Sequence, residues 1–321
     1  MKVVITGSAG FIGSNLVDRC LELGWNVRGI DNFATGSRDM TNPARLTGKR
    51  GKYSFVEADI TNTERMTELF VGREVVFHLA ALPRVSFSID HPMEADVANT
   101  HGTLSVLEAA RKAGIKRVVF SCSSSVYGGV AQFPTPETAL ASPKSPYALH
   151  KQAGAEYCRL YSELHGLETV SLLYFNVFGP YQRADSAYAT VIPAFFDAAM
   201  NGKACRIDGD GEQSRDFAYV DNVVDANVLA ATHQNKLLGD RFNIACGEDN
   251  SVNQVVEQIQ NLLAIKLKKE FAPPRLGDPR RSLADITKAR EVLGYEPKIK
   301  FEEGMSLTSK WWLSGCPTKR G

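Results

Sequence analysis

The chain has 321 residues, 44% hydrophobic and 23% charged, which is ordinary globular composition with enough length for one large domain or two packed ones. A net charge of +1 gives no reason to expect a nucleic-acid or anionic-membrane partner. Six scattered cysteines, Cys20, Cys122, Cys158, Cys205, Cys246 and Cys316, form no CxxC pair and no Cys/His cluster, so reduced thiols are expected, with no disulfide framework and no metal site. No apolar run is long enough to cross a bilayer, and Val3-Val4-Ile5 runs straight into a glycine turn instead of forming a signal peptide. A soluble, cytoplasmic protein is expected.

Lys2 to Thr6 reads as a β-branched strand, and a helix is expected from Phe11 to about Leu23. Between them Gly7, Gly10 and Gly13 make a GxxGxxG turn whose backbone N–H groups can approach a pyrophosphate at the positive helix end. A second strand, Asn26 to Ile30, ends in Asp31, eighteen residues after Gly13. A carboxylate there can accept both ribose hydroxyls of an adenosine and would repel a 2′-phosphate, which favours NAD over NADP. The strand Tyr53 to Val56 leads to Asp59, placed for an adenine amino group. The strand Glu74 to His78 runs into Ala80 and Ala81, small enough for a cofactor to pass. His78 has no metal or triad partner nearby and reads as structural. A long helix from about Met93 to Ala113 carries Asn99, which is expected to hydrogen-bond between neighbouring strands. Strand and helix alternate throughout this half, which implies a parallel sheet covered on both faces.

The segment Phe120 to Lys151 carries the chemistry. It opens Ser121-Cys122-Ser123-Ser124-Ser125-Val126-Tyr127-Gly128 after a strand at Arg117 to Phe120. It closes Ser145-Pro146-Tyr147-Ala148-Leu149-His150-Lys151. Pro146 favours a first helical turn, so Tyr147 and Lys151 share one helix face. An ammonium there is expected to lower the phenol's pKa, making Tyr147 a base for a sugar or alcohol hydroxyl. The serine run can offer a hydroxyl to the same oxygen. After a helix to about His165 and a strand from Glu168 to Leu173, the regular alternation breaks down. Tyr174-Phe175-Asn176-Val177-Phe178-Gly179-Pro180, a helix near Val191 to Asn201, a strand at Cys205 to Ile207 and Ser214-Arg215-Asp216-Phe217 follow. A helix then starts near Asp221, a strand covers Arg241 to Ile244, and a helix spans Val252 to Leu263. The loop Arg275 to Ser282 precedes two short closing helices.

Together these motifs, in this order, resemble an extended short-chain dehydrogenase/reductase, and in particular nucleotide-sugar 4-epimerases of UDP-hexoses and UDP-N-acetylhexosamines. The resemblance implies an α/β fold: a Rossmann-like doubly wound parallel sheet over residues 1–173, with a segment around 219–246 packing back on it, and a smaller C-terminal α/β substrate domain over 174–321. It implies NAD as cofactor. Gly7, Gly10 and Gly13 would line the pyrophosphate, with N–H groups from Phe11 and Ile12. Asp31 and Asn32 would hold the adenosine ribose, and Asp59 and Ile60 would meet the adenine. Ala80, Ala81, Asn99, Lys151 and Tyr174 would complete the cofactor site. Tyr147 would be the base and Ser123 the hydroxyl sharing the substrate O4, with Ser125 beside them. Asn176, Arg215 and Arg275 would face the diphosphate, and Asp278 the uridine ribose. The family usually has arginine where Leu173 stands, and the loop Tyr181 to Asp185 also departs from its pattern.

Related dehydratases carry an acidic pair at the positions of Ser124 and Ser125, and related decarboxylases a glutamate at Ser125. With serines there, oxidation and re-reduction at one carbon is the favoured chemistry. The alternatives are another NAD-dependent nucleotide-sugar enzyme, a dehydratase or decarboxylase, or a non-catalytic NAD-binding regulator. By resemblance, Ser282 stands where a tyrosine would close the space at the sugar C2, so UDP-GlcNAc and UDP-GalNAc are expected substrates, with UDP-Glc and UDP-Gal as a second pair. The same serine could cap a helix starting near Ala284. A homodimer through helices near Met93 to Ala113 and Tyr147 to His165 is also implied.

Overall fold

The structure is a computed structural model that describes residues 1–42, 46–129, 132–184, 189–274 and 279–315. Its centre is a seven-stranded sheet: β1 (Lys2–Thr6), β2 (Asn26–Asp31), β3 (Lys52–Glu57), β4 (Val75–His78), β5 (Arg117–Ser123), β6 (Glu168–Tyr174) and β11 (Leu238–Ile244). The strand order is β11-β6-β5-β4-β1-β2-β3 and every pairing is parallel. The order turns back on itself between β1 and β4, and ligands of open parallel sheets bind at such a reversal, beyond the carboxyl ends of the strands. Val3, Val4, Ile5, Val76, Phe77, Val118 and Val119 are fully or almost fully buried, as residues of a sheet covered on both faces must be.

Helices α1 (Phe11–Glu22), α2 (Thr63–Phe70), α5 (Gly102–Lys112), α6 (Pro146–His165) and α8 (Val220–Thr232) supply the cover, with α8 packed on α1. The bounds of α6 follow from its ends. The Ser145 hydroxyl accepts the Ala148 N–H at 3.2 Å, Pro146 occupies the first turn, and Gly166 closes the helix with φ +68°. The single long helix expected from Met93 is instead α4 (Pro92–Asp96), a π turn over Val97–His101, and α5. A short helix, α3 (Val85–Asp90), precedes it.

The remaining elements are short: β7 (Val177–Phe178), α7 (Val191–Met200), β8 (Cys205–Asp208), β9 (Ser214–Arg215), β10 (Ala218–Tyr219), β12 (Asn250–Ser251), α9 (Val252–Leu263), β13 (Lys269–Ala272) and α10 (Phe301–Leu313). They pair as β7 with β10, β8 with β13 and β9 with β12. An aromatic knot holds this part together: the Phe178 ring lies 5.7 Å from Tyr219, 6.0 Å from Phe301 and 6.2 Å from Phe217. Each such ring, buried completely, stabilises by about 1.5–3 kcal/mol. Gly304 permits the approach, since a Cβ there would meet the Phe178 ring at 2.8 Å. No helix among the described residues is long and apolar enough to cross a membrane.

Candidate active site

One cavity of about 1530 Å³ runs along the carboxyl edge of the sheet, from the glycine turn to the loops after β9. Common small-molecule pockets hold roughly 300–1,000 Å³, so this one suits two ligands side by side. At one end Gly7 has φ +72°, and a Cβ there would strike the Ala80 nitrogen at 2.6 Å. A Cβ on Gly13 would sit 2.0 Å from the Gly7 carbonyl. The glycines thus let the turn close against β4 and leave the start of α1 open, with no side chain capping it. Phe11, Ile12 and Gly13 line the cavity there, and the first N–H groups of a helix lack intrahelical acceptors. An anionic pyrophosphate fits that donor set.

Asp31 ends β2. Its carboxylate accepts the Ala9 N–H at 2.9 Å and the Phe33 N–H at 2.7 Å. Burial raises its pKa and those two donors oppose the rise. Each oxygen keeps a second acceptor site, which suits the two hydroxyls of a ribose. Asn32 donates to Asp59 at 2.8 Å, and Asp59 also accepts from the backbone and hydroxyl of Thr61, so these side chains arrive as one preset group. Ile60, Ala80 and Ala81 line the same stretch.

Asn99 differs from expectation. It is buried in the π turn and spends both ends of its amide on Leu82, accepting from its N–H at 2.8 Å and donating to its carbonyl at 3.1 Å. It does not line the cavity; it holds the segment after β4 from behind, not a neighbouring strand. His78 is buried between Thr6 and Thr103, its ring nitrogens 2.9 and 3.0 Å from their hydroxyls, and burial pushes its pKa down to about 3. A neutral, fully partnered imidazole is structural.

The centre of the cavity lies where β5 ends. The strand runs three residues further than expected, which puts Ser123 in register with Tyr174. Ser123 caps a 3-10 turn over Ser124–Tyr127 by accepting the Ser125 N–H at 3.2 Å, and it hydrogen-bonds the Tyr147 hydroxyl. Tyr147 is held from the other side by its own N–H, which donates to Ser88 of α3 at 3.0 Å. Lys151, one turn on, is buried; its Nζ donates to the Ser121 carbonyl at 2.7 Å and lies 5.9 Å from the Tyr147 ring centroid. Burial pushes its pKa down to about 8.

One expectation is corrected here. Tyr147 is not drawn toward neutrality by Lys151: burial raises the phenol's pKa, and the Ser123 hydrogen bond opposes this only in part. The ammonium gives one of its three N–H groups to Ser121 and lies 5.9 Å from the phenol ring centroid, and burial outweighs the positive charge it brings. A phenolate at this site needs further positive charge beside it.

Ser125 also faces the cavity, its Oγ buried without a hydrogen-bond partner among the described residues. Tyr174 lines the floor with its hydroxyl 2.7 Å from the Asn227 amide nitrogen. Asn176 donates to the Asp216 carbonyl at 3.4 Å, and Arg215 lines the far wall with Ser282. Ser282 does not cap a helix. Its N–H donates to the Ser214 carbonyl at 3.1 Å and its carbonyl accepts the Asp216 N–H at 2.7 Å, a strand-like pairing with β9. The following helical turn starts at Thr287, capped by Asp285 at 2.9 Å. Arg275 and Asp278 lie outside the described residues. Sequence reasoning did not find Ser88 or Asn227, since a lone serine or asparagine carries no signal until the fold brings it beside a tyrosine.

Comparison with known proteins agrees with this geometry. Residues 3–245 match the NAD dependent epimerase/dehydratase family. A UDP-glucose 4-epimerase of Mycolicibacterium smegmatis is 39% identical over 315 residues, covering 97% of this chain and 98% of that protein. The crystal structure of UDP-glucose 4-epimerase from Thermotoga maritima with UDP-glucose superposes with a TM-score of 0.91 at 36% identity, covering 98% of this chain and 99% of the other. A UDP-N-acetylglucosamine 4-epimerase from Methanobrevibacter ruminantium, in complex with UDP-N-acetylmuramic acid, gives 0.90 at 36% identity and covers 98% of each chain. The chain therefore belongs to the NAD dependent epimerase/dehydratase family, as an extended short-chain dehydrogenase/reductase with NAD as its cofactor.

Proposed function

We propose that this enzyme is a UDP-sugar 4-epimerase that interconverts UDP-GlcNAc and UDP-GalNAc, with UDP-Glc and UDP-Gal as a smaller second pair. The observation that carries the reading is the cluster of Ser123, Tyr147 and Lys151 at the end of β5, with serines and no carboxyl at positions 124 and 125. An elimination or a decarboxylation needs a proton-transferring acid there, and a reversible oxidation at one carbon does not. Relatives and structural neighbours that act on UDP-hexoses support the same choice.

NAD, when bound, supplies the hydride acceptor and the positive charge that the phenol lacks. Tyr147 takes the 4-OH proton, with Ser123 holding the same oxygen. Lys151 orients the cofactor's ribose and keeps positive charge near the phenolate. The 4-keto sugar then turns about its diphosphate link to present its opposite face, where the hydride that the bound cofactor would hold could return to C4 while Tyr147 gives its proton back to O4. Asn176 and Arg215 grip the diphosphate while the sugar stays loosely held. Arg275 and Asp278 join them by resemblance alone. Ser282 leaves room at the sugar C2 for an N-acetyl group, and the smallness of that side chain is the support for the substrate choice. The protein works as a homodimer, in keeping with Leu149 and Leu164 of α6 and Met93 of α4, which are 55%, 71% and 77% exposed.

The test is to incubate the purified protein, with no added cofactor, with UDP-GlcNAc and separately with UDP-Glc, and to resolve the products by chromatography. UDP-GalNAc without net NADH is expected. UDP-Gal alone keeps the reaction and rejects the substrate choice; no product from either, with NAD added, rejects the reading.

A further inference from the structure

Asp216 is fully buried, next to Arg215, and the chemistry described above makes no use of it. Its carboxylate accepts three backbone N–H groups: Cys246 at 2.8 Å on one oxygen, and Gly247 at 3.0 Å and Ala284 at 3.2 Å on the other. Its own N–H donates to the Ser282 carbonyl at 2.7 Å, and its carbonyl accepts the Asn176 amide. One residue thereby joins four segments that are remote in sequence: the stretch after β6, the end of β9, the turn after β11, and the wall at 282–284.

The wall has few other ties to the sheet. Ser282 pairs with Ser214, and Thr135 holds Leu283 and Asp285 by backbone hydrogen bonds of 2.8 and 3.0 Å. On the outer side, Arg281 and Ser214 share the Asp249 carboxylate at 2.8 and 2.6 Å. Asn243 of β11 reaches the far end of this stretch, donating to the Asp285 carbonyl at 3.0 Å, while the Asp216 carboxylate ties Ala284 to Cys246 and Gly247, just past the end of β11. A neutral side chain cannot accept three N–H groups as a carboxylate does, and a buried N–H that loses its acceptor drives local rearrangement. Burial, with Glu248 nearby, raises the Asp216 pKa to about 7 against the pull of the three donors.

We infer that Asp216 is a positioning residue for nucleotide-sugar binding: by pinning the wall that carries Ser282 to the end of β11 and to the strand that carries Arg215, it sets the shape of the sugar and diphosphate pocket. This rests on the function proposed above. Asp216 makes no hydrogen bond to Ser123, Tyr147 or Lys151, so its effect falls on binding and sugar selectivity and spares proton transfer.

Two variants test this: Asp216→Asn, which keeps the shape and turns an amide NH₂ toward the N–H donors, and Ala284→Pro, which removes the wall's N–H link to the carboxylate while leaving Asp216 itself in place. Steady-state kinetics with both UDP-sugars are measured beside UDP affinity by calorimetry. Asp216→Asn is expected to raise KM for UDP-GlcNAc and to weaken UDP about tenfold, with kcat within about threefold of the parent. Ala284→Pro is expected to move KM and UDP affinity the same way, by less. Parental KM and UDP affinity in both variants, or a fall in kcat at unchanged KM, would overturn the inference. If Asp216→Asn does not fold, Ala284→Pro decides by the same criteria. If the parent turns over neither sugar, the proposed function fails, and UDP affinity alone then decides the role of Asp216.

Discussion

The two sides of the cavity are built in different ways. The cofactor side is a row of consecutive strand ends: the glycine turn after β1, Asp31 at the end of β2, Asp59 after β3, Ala80 and Ala81 after β4, Ser123 at the end of β5. Along this edge the strand ends run β3-β2-β1-β4-β5, the chain turning back after β3 to lay β4 on the other side of β1. The sugar side is assembled from Asn176, Arg215 and Ser282, which meet through backbone hydrogen bonds and through Asp216. A parallel sheet fixes the first side by its own ladder. The second side depends on a few loop-to-loop bonds, and so its shape is the part free to vary between relatives with different sugars.

The sharpest way to separate the two sides is to remove the proposed base. Tyr147→Phe keeps the ring and the Ser88 contact, which uses the backbone N–H. It should lower kcat by about 10³-fold while NAD stays bound, read as turnover beside cofactor content after denaturation. A KM rise at unchanged kcat would place the base elsewhere. On the sugar side, Ser282→Tyr should cut kcat/KM for UDP-GlcNAc by about 100-fold and change that for UDP-Glc less than about threefold. Equal losses on both sugars would mean that the wall is merely damaged.

These two predictions rest on residues of unequal legibility. Pro146 behind a serine gave α6 to the residue, and Ser251 with Gln254 closes a capping box at the start of α9, where the helix was expected. The strands of the large sheet were found but cut short: β5 by three residues and β6 by one, because Ser121 to Ser123 and Tyr174 lack strand-like apolarity. Pairs such as β7 with β10 or β9 with β12 are two residues long and leave no period to read. Helix α3 was missed because Val85-Ser86-Phe87-Ser88-Ile89-Asp90 alternates like a strand, and the Ser88 support of Tyr147 was missed with it. Asn99 and Ser282 show a further limit on sequence reading: their residue types were noticed, but the partners that define their roles, Leu82 and β9, are set by the fold.

Smaller effects sharpen the cofactor side. Lys151 holds its proton below about pH 8 and loses it as pH rises through that value. If its ammonium is required, kcat should fall above about pH 8, and Lys151→Met should lower kcat about 100-fold and flatten that limb of the profile. A limb that survives in Lys151→Met belongs to another group. Asp31→Ala removes the proposed acceptor for the ribose and the tie to Ala9 together, and it should weaken NAD about tenfold with little change in the sugar preference. A changed UDP-GlcNAc to UDP-Glc ratio in that variant would show that the two sides are coupled.

The central claim is that one carbon is oxidised and reduced with its own hydrogen returned. Epimerisation of UDP-GlcNAc in D₂O, followed by NMR of the UDP-GalNAc formed, tests it most directly. The account predicts product with no deuterium on any sugar carbon, since Tyr147 exchanges only the hydroxyl proton. Deuterium at C4, or at a neighbouring carbon, would show a carbanion or elimination route and would contradict it.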